Sequence, residues 1–266
     1  MDIITEVPDQ FTGAWQRTAP NNARSFWLQS RHLHAYLNIP SNRPDFSGKS
    51  SLAECSLDEL MWLAGQDGAA GSCIVESSDV LHRRRQIDYS PTRGKPFLRR
   101  MQREGMLLHE ESLRGTDQVT WQNISGDSAE IIAFRFQDEA MSADFAEPYK
   151  GVLLIAGDCF MFARDRSVYA LQAESLQVLA ECKDYGAGEL IPLLDFEISF
   201  GLRTGGVMPW EIKLSTLPFR EGKALLSPNG FEAILANWQR LPQKVERGGQ
   251  LYLRRWSLDE WTNPKR

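Results

Sequence analysis

The stretch "RHLHAYLNIP", residues 31–40, alternates between polar and apolar side chains. Successive side chains of a β-strand point to opposite faces, so this pattern predicts a strand with one polar and one apolar face. The polar face carries His32, His34, Tyr36 and Asn38. The apolar face carries Leu33, Ala35, Leu37 and Ile39. The pattern leaves open whether the polar face meets solvent or lines the interior of a barrel.

Similar short segments recur along the chain at a spacing of roughly 8 to 12 residues, separated by Gly, Pro, Asn and Asp. Helical patterns are fewer and cover residues 56–66, 173–186 and 231–241. Ser56 and Glu59 have the spacing of a capping box, and Gly186 is expected to end the second helix. The chain is therefore predicted to be mainly β and antiparallel, with a few short helices.

The order of these segments in the second half of the chain repeats that of the first half. The hairpin pattern FWLQSRHLHAYLNIP, residues 26–40, resembles GVLLIAGDCFMFARDR, residues 151–166, in its two strands and polar turn. Residue identity between the halves is weak, so chance similarity among β-rich segments stays an alternative. The repeat predicts an internal duplication with two tandem barrel halves, residues 1–125 and 126–266.

Composition excludes several classes of protein. The 266 residues carry a formal net charge of −5, which disfavours a nucleic-acid binder because phosphate contacts need a basic surface. No apolar stretch approaches the roughly 20 residues of a membrane helix, so no membrane span is predicted. Residues 1–10 lack a secretory pattern, and the four cysteines show neither zinc nor disulfide spacing. We therefore expect a cytoplasmic protein.

One segment departs from the acidic average. Residues 83–103 contain eight Lys or Arg and a single acid, Asp88. Such a segment is typical either of a solvated strand and loop or of a surface that docks an acidic partner. A protein-interaction module that uses this basic segment is therefore one alternative function.

A short motif suggests a more specific fold. Gly13-Ala14-Trp15 reproduces the GxW pattern near the start of a lipocalin barrel, and Arg254 or Arg255 is expected to cover Trp15 by cation–π stacking. Together with LMWLAGQDGAAG (60–71), RQIDYSP (85–91) and WEIKLSTLPFREG (210–222), the chain resembles functionally uncharacterised bacterial lipocalin-like proteins of the calycin type.

These bacterial proteins are similar in layout to the fungal Hri family, which has two related β-barrel halves. The resemblance implies two lipocalin-like β-barrels and no particular activity. The bacterial pattern has an acid and an arginine where this chain has Tyr36 and Asn38, so a role for that pair would be lost here.

A barrel of this type predicts binding of a small, largely apolar ligand with a polar or anionic head. The candidate ligand-binding residues are Trp27, His34, Tyr36, Trp62, Gln66 and Arg85. No metal site and no cofactor are predicted, although all four histidines fall in the first half. The sequence leaves open whether the protein forms a homodimer.

A cofactor-independent isomerase, cyclase or hydrolase in the same cavity is the other alternative. Its candidate proton-handling residues are Tyr36, Asp88, His109 and Glu111. Two of them would have to lie within hydrogen-bond reach in an enclosed pocket. Arg85 and Asp88 are three residues apart, so on a regular strand they are expected to point to opposite faces and not to pair.

Overall fold

The structure is a computed structural model that describes residues 6–18, 24–91, 97–140, 149–168, 170–203, 208–237, 239, 242–247 and 250–262. Nearly all of its regular structure is antiparallel β-sheet, and the strands fall into two sheets. The mainly β prediction with two barrel-like halves is confirmed. None of the described helices combines the length and the apolar character needed to cross a bilayer.

The first sheet is a closed eight-stranded barrel. Its strands are β1 (Gly13–Arg17), β2 (Arg24–Gln29), β3 (Leu33–Ile39), β4 (Asp67–Val75), β5 (Val80–Arg83), β7 (Phe97–Glu104), β8 (Leu107–Ser112) and β9 (Gln118–Asn123). A two-residue strand, β6 (Ile87–Asp88), adds to β4. The spatial order is β3-β2-β1-β9-β8-β7-β5-β4, and pairing of β3 with β4 closes the ring.

The second sheet has seven strands and forms a curled half-barrel. They are β10 (Ile131–Ala140), β11 (Tyr149–Ala156), β12 (Cys159–Arg164), β13 (Glu197–Leu202), β14 (Glu211–Ser215), β15 (Gln243–Arg247) and β16 (Gln250–Thr262). Their order is β14-β13-β12-β11-β10-β16-β15, and within the described residues the edge strands β14 and β15 do not pair. The first sheet is thus a closed barrel and the second is open. The internal duplication stays a prediction.

Four α-helices occur in the described part of the chain: α1 (Leu57–Ala64), α2 (Leu176–Lys183), α3 (Ala187–Leu194) and α4 (Gly230–Asn237). The capping box of α1 is confirmed, because Ser56 accepts from the Glu59 amide and Glu59 accepts from the Ser56 amide. The expected end of the second helix at Gly186 is wrong. Asp184 ends α2 in a left-handed conformation, and Gly186 instead precedes α3.

The apolar face of β3 points out of the barrel and into a core shared by both halves. Its members Leu33, Ala35, Leu37 and Ile39 belong to the same buried cluster as Leu154, Ile198 and Phe200 of the second sheet. Phe26 of β2 stacks on Phe200 with ring centroids 3.8 Å apart and planes 6° from parallel. The polar face of β3 is consequently left on the inside of the barrel.

The opposite face of the second sheet is also buried. Its aromatic side chains, with those of α4 and the loop before β14, are Phe134, Phe136, Phe160, Phe162, Trp210, Phe231 and Trp256. The first sheet ends at Asn123 and the second begins at Ile131, near the expected boundary at Gly126. A large core joins the two sheets. The division into domains at 1–125 and 126–266 remains a prediction.

Candidate functional site

Apolar side chains fill one end of the first barrel. They are Val7, Phe11, Trp15, Trp27, Leu81, Met101, Leu108 and Trp121. Trp15 is fully buried and donates from Nε1 to the carbonyl oxygen of Phe11 at 3.2 Å. The Arg103 guanidinium lies over the Trp15 ring, 5.4 Å from its centroid, and covers this end.

The prediction that Arg254 or Arg255 covers Trp15 is therefore wrong, because the arginine over Trp15 comes from β7. Arg254 lies over the Phe136 ring at 4.1 Å instead. Both Arg254 and Arg255 belong to β16, which is a strand of the second sheet and does not enter the first barrel.

The rest of the barrel interior is a cavity of about 270 Å³. Four arginines line it: Arg17, Arg83, Arg85 and Arg99. Three carboxylates join them: Asp67, Glu110 and Asp117. Aromatic and neutral side chains complete the wall, among them His34, Tyr36, Phe97, Val119 and Trp121. Charged groups are rarely buried unless they are paired, so this concentration marks the cavity as a candidate site.

Larger clefts lie elsewhere on the molecule. One of about 600 Å³ runs between the halves beside Leu33, Ile87 and Trp256, one of about 680 Å³ lies along residues 41–49, and one of about 410 Å³ lies beside α4. They lie between elements or at the surface, whereas a closed ring of strands surrounds the barrel cavity. The smaller cavity is the candidate site because buried charged side chains converge there.

Glu110 is the centre of a buried group of polar and charged side chains in the cavity wall. It is about as buried as Arg83, with 3% of each side chain exposed. The Glu110 carboxylate contacts the guanidinium of Arg83, lies 3.0 Å from Nε of Arg99, and accepts from Nε1 of Trp121 at 2.8 Å. The Arg83 guanidinium is also held between two rings, 4.6 Å from Trp27 and 5.1 Å from Phe97. These contacts fix both arginines in place.

Arg85 holds two carboxylates on the other side of the cavity. Its Nη2 donates to Oδ1 of Asp67 at 2.6 Å and to Oδ1 of Asp88 at 2.8 Å. The expectation that Arg85 and Asp88 do not pair is therefore wrong. Residues 84–86 link β5 to β6 without regular strand geometry, so the alternation of faces on which that expectation rested does not apply.

Two groups face the cavity without a protein partner. Among the described residues, Arg17 has no ion pair or side-chain hydrogen bond, and neither has the hydroxyl of Tyr36. Burial raises the pKa of Tyr36, and the negative charges of Asp67 and Glu110 raise it further. Tyr36 is therefore a neutral hydroxyl that can donate to or accept from a bound molecule.

His34 is a buried part of the wall, with 2% of its surface exposed. Its Nε2 lies 3.1 Å from the carbonyl oxygen of Arg84. A carbonyl oxygen only accepts, so Nε2 carries the proton and Nδ1, which has no partner, is an acceptor. Burial lowers the pKa of His34 to about 3, and the charge of Arg83 contributes to this shift. His34 therefore lines the interior of the barrel, whereas His32, just before the strand, has a side chain that is 41% exposed.

The other predicted ligand-binding residues divide between the cavity and the shared core. Trp27 lies below Arg83 at the filled end. Trp62 and Gln66 do not line the cavity, because α1 and the residues that follow it pack outside the barrel. The amide of Gln66 instead donates to the carbonyl oxygens of Leu63 and Thr216, which joins the two halves.

The four predicted proton-handling residues do not assemble. Tyr36 lines the cavity, while Asp88 lies behind Arg85. Glu110 of β8 points inward, so its neighbours His109 and Glu111 point outward. His109 contacts Thr120 and Glu104, and Glu111 contacts Arg100 and Gln118. Within the described residues no two of the four are bonded, so the geometry does not favour the enzyme alternative.

Of the six described cations of the basic segment, three are directed into the barrel and a fourth covers its end. Arg83, Arg85 and Arg99 line the cavity, and Arg103 covers Trp15. Arg84 and Arg100 are mainly exposed. Two further cations, Arg93 and Lys95, lie outside the described residues. The described geometry therefore gives the interaction-module alternative little support.

Sequence reasoning missed Arg17, Arg99, Asp67, Glu110 and Asp117. A signal existed in the alternation of β8, where Glu110 shares a face with the buried Leu108, and of β1, where Arg17 shares a face with Trp15. A charged residue that shares a strand face with buried apolar residues is expected to point to the interior.

Comparison with known proteins gives little further information. No protein-family model and no curated protein sequence matches the chain. A crystal structure of an uncharacterised protein from Saccharomyces cerevisiae is similar over 94% of this chain and 98% of that chain, with 13% sequence identity and a TM-score of 0.48. A similarity at this level supports no argument about function. Membership of a lipocalin-like family stays a prediction.

Proposed function

We propose that the first barrel binds a small organic molecule through an anionic head group. The observation that carries this proposal is the pair Arg17 and Tyr36, whose guanidinium and hydroxyl face one enclosed cavity without a protein partner. A guanidinium binds carboxylate and phosphate oxygens by paired hydrogen bonds, and a neutral tyrosine adds a further donor.

The surrounding wall supports an accepting head group. The buried Nε atoms of Arg83 and Arg85 have no hydrogen-bond partner among the described residues, so the wall keeps donors that protein acceptors do not use. Trp121, Phe97 and Val119 offer an apolar surface for the remainder of the ligand. The ligand that we propose is more polar than the sequence predicted, because the polar face of β3 lies inside.

The size of the cavity limits the ligand. Pockets for drug-sized molecules are usually about 300 to 1,000 Å³, and this cavity of about 270 Å³ lies at the lower end. It has the volume of roughly nine waters at about 30 Å³ each. Covalently bonded atoms pack more closely than waters, so a molecule of about a dozen non-hydrogen atoms or fewer fits.

Ligand-observed NMR with a library of small carboxylates, phosphate esters and uncharged analogues tests the proposal. The wild-type protein should bind a subset of the anions and not their uncharged analogues. Arg17→Gln should weaken that binding about tenfold or more, because a hydrogen bond to a charged group contributes about 1.5–3 kcal/mol.

Arg100→Gln provides the matched control. Arg100 is on a strand of the same barrel but is half exposed and pairs with Asp79 and Glu111 on the outside. Its loss should leave the affinity for the anion unchanged. Equal binding by wild type and Arg17→Gln, or no binding of any anion at millimolar concentration, would contradict the proposal.

A further inference from the structure

A carboxylate with one open oxygen faces the same cavity, and its charge is opposite in sign to that of Arg17. Asp67 accepts from Arg85 through Oδ1, while its Oδ2 has no partner among the described residues. The side chain is about one-third exposed, so a molecule in the cavity can reach it. Oδ2 of Asp67 is thus available to a donor, while Oδ1 is held by Arg85, which also binds Asp88.

The register of the barrel places these two charges in the same row across the strands. Trp27 pairs with both Trp15 and Tyr36, and Tyr36 pairs with Ala69, which defines one row across four strands. Arg17 lies two residues after Trp15 on β1, and Asp67 lies two residues before Ala69 on β4. Both lie farther than that row from the filled end of the barrel.

Two residues, Ser25 and Asn38, lie between Arg17 and Asp67 in the row that the two charges share. Asn38 pairs with Asp67 and with Ser25 in the sheet, and the hydroxyl of Ser25 donates to Oδ1 of Asn38 at 2.5 Å. Tyr36 lines the same cavity, and both charges act on its pKa, which Asp67 raises and Arg17 lowers. The wall therefore presents a cation, a neutral hydroxyl and a carboxylate in succession.

We propose that the ligand is a small zwitterion of the amino-acid type, whose carboxylate binds Arg17 and whose ammonium group binds Asp67. This inference rests on the function proposed for the cavity and names the class of its ligand. A simple anion leaves Oδ2 of Asp67 without a donor, and a simple amine leaves Arg17 without an anion. A zwitterion supplies a partner for Arg17 and for Oδ2 of Asp67, so such a site binds it more tightly than either singly charged analogue.

Calorimetric titration with matched probes tests this inference. One series is phenylalanine, 3-phenylpropanoate and 2-phenylethylamine, and a second is leucine, 4-methylpentanoate and 3-methylbutylamine. In at least one series the amino acid should bind about tenfold more tightly than either singly charged analogue. Two series are used so that the result does not depend on one side chain.

Two substitutions separate the roles of the two charges. Asp67→Asn keeps a group of the same size beside Arg85 and should weaken the amino acid about tenfold while leaving the carboxylate analogue unaffected or slightly tighter. Arg17→Gln should weaken both. Unchanged thermal unfolding midpoints, relative to Arg100→Gln, show that the variants are folded.

The outcomes distinguish this inference from the proposed function. If the carboxylate analogues bind as tightly as the amino acids and Asp67→Asn does not alter the ratio, the zwitterion inference is wrong and anion binding stands. If neither amino acids nor carboxylates bind, both are wrong.

Discussion

The buried side chain of His34 makes the stability of the folded protein depend on pH. Its side chain is fully enclosed and bonded to the carbonyl oxygen of Arg84, and burial lowers its pKa to about 3. An unfolded histidine has a pKa of about 6.5. Between these values the unfolded chain binds a proton that the folded chain does not. The folded state is therefore destabilised as the pH falls below about 6.5.

His34→Gln should make the loss of stability on acidification shallower. In the wild type, this residue alone lowers the free energy of unfolding by about 1.4 kcal/mol per pH unit below pH 6.5, until the folded histidine also takes up a proton. Urea denaturation at several pH values between 7.5 and 4 measures the slope. His109→Gln, which alters a partly exposed histidine on the outside of the barrel, should retain the wild-type slope. The same slope in His34→Gln as in the wild type would show that burial does not control this titration.

The second sheet depends on close contact between neighbouring strands. Gly151 of β11 lies opposite Phe136 of β10 in the sheet, and a Cβ at Gly151 would lie 1.9 Å from the Phe136 ring. That ring stacks on Phe162 and carries Arg254 on its face, so it has little room to move. The glycine is required by a close approach and not by its own backbone angles.

Gly151→Ala should lower the free energy of unfolding by about 1–3 kcal/mol, the range for overpacking a filled interior. Gly188→Ala in α3 is the control, because a Cβ there meets no atom within 4 Å. Alanine favours helix over glycine, so this variant should be unchanged or slightly more stable. Thermal denaturation followed by circular dichroism compares the two, and equal midpoints for both variants would refute the packing argument.

At the scale of single elements, the sequence predicted strands better than it predicted their orientation. The alternation of residues 32–39 was sufficient to define β3. It could not show which face would be interior, because that depends on the second sheet covering the apolar face from outside. Pairing of Arg85 with Asp88 was missed for a similar reason, since an irregular link between two short strands leaves no periodic signal.

The whole molecule is held together by one extended core. The stack of Phe26 on Phe200 and the apolar faces of β3 and β13 connect the closed barrel to the half-barrel. A shared core of this kind favours cooperative unfolding of both halves in one transition. The candidate site depends on this arrangement, because the second half covers the outside of the strand whose inner face carries His34 and Tyr36.

Phe200→Ala should destabilise both halves together. Phe200 is 4% exposed, and truncation of a buried phenylalanine costs about 3–5 kcal/mol. Urea denaturation with hydrogen-exchange mass spectrometry follows peptides from each half separately, and the midpoints for both should fall equally. Leu251→Ala, at a half-exposed position on β16, is the control. If only the second half loses stability, the halves are independent domains.

The site as a whole was only partly accessible to sequence reasoning. His34, Tyr36 and Arg85 were predicted and do line the cavity. Arg17, Glu110 and Asp67 were not, because charged residues are usually exposed and a single chain gives no reason to place seven of them inside one barrel. Only the closed register of eight strands brings them together.

The most direct test of the ligand-binding claim is ¹⁹F NMR of the protein labelled with 3-fluorotyrosine. Tyr36→Phe identifies the Tyr36 signal, and Tyr89, which is 1% exposed in the shared core, is the internal control. Titration with the small acid or amino acid that binds best should shift the Tyr36 signal in a saturable way and leave the Tyr89 signal in place. A bound ligand that leaves the Tyr36 signal unchanged would contradict the account.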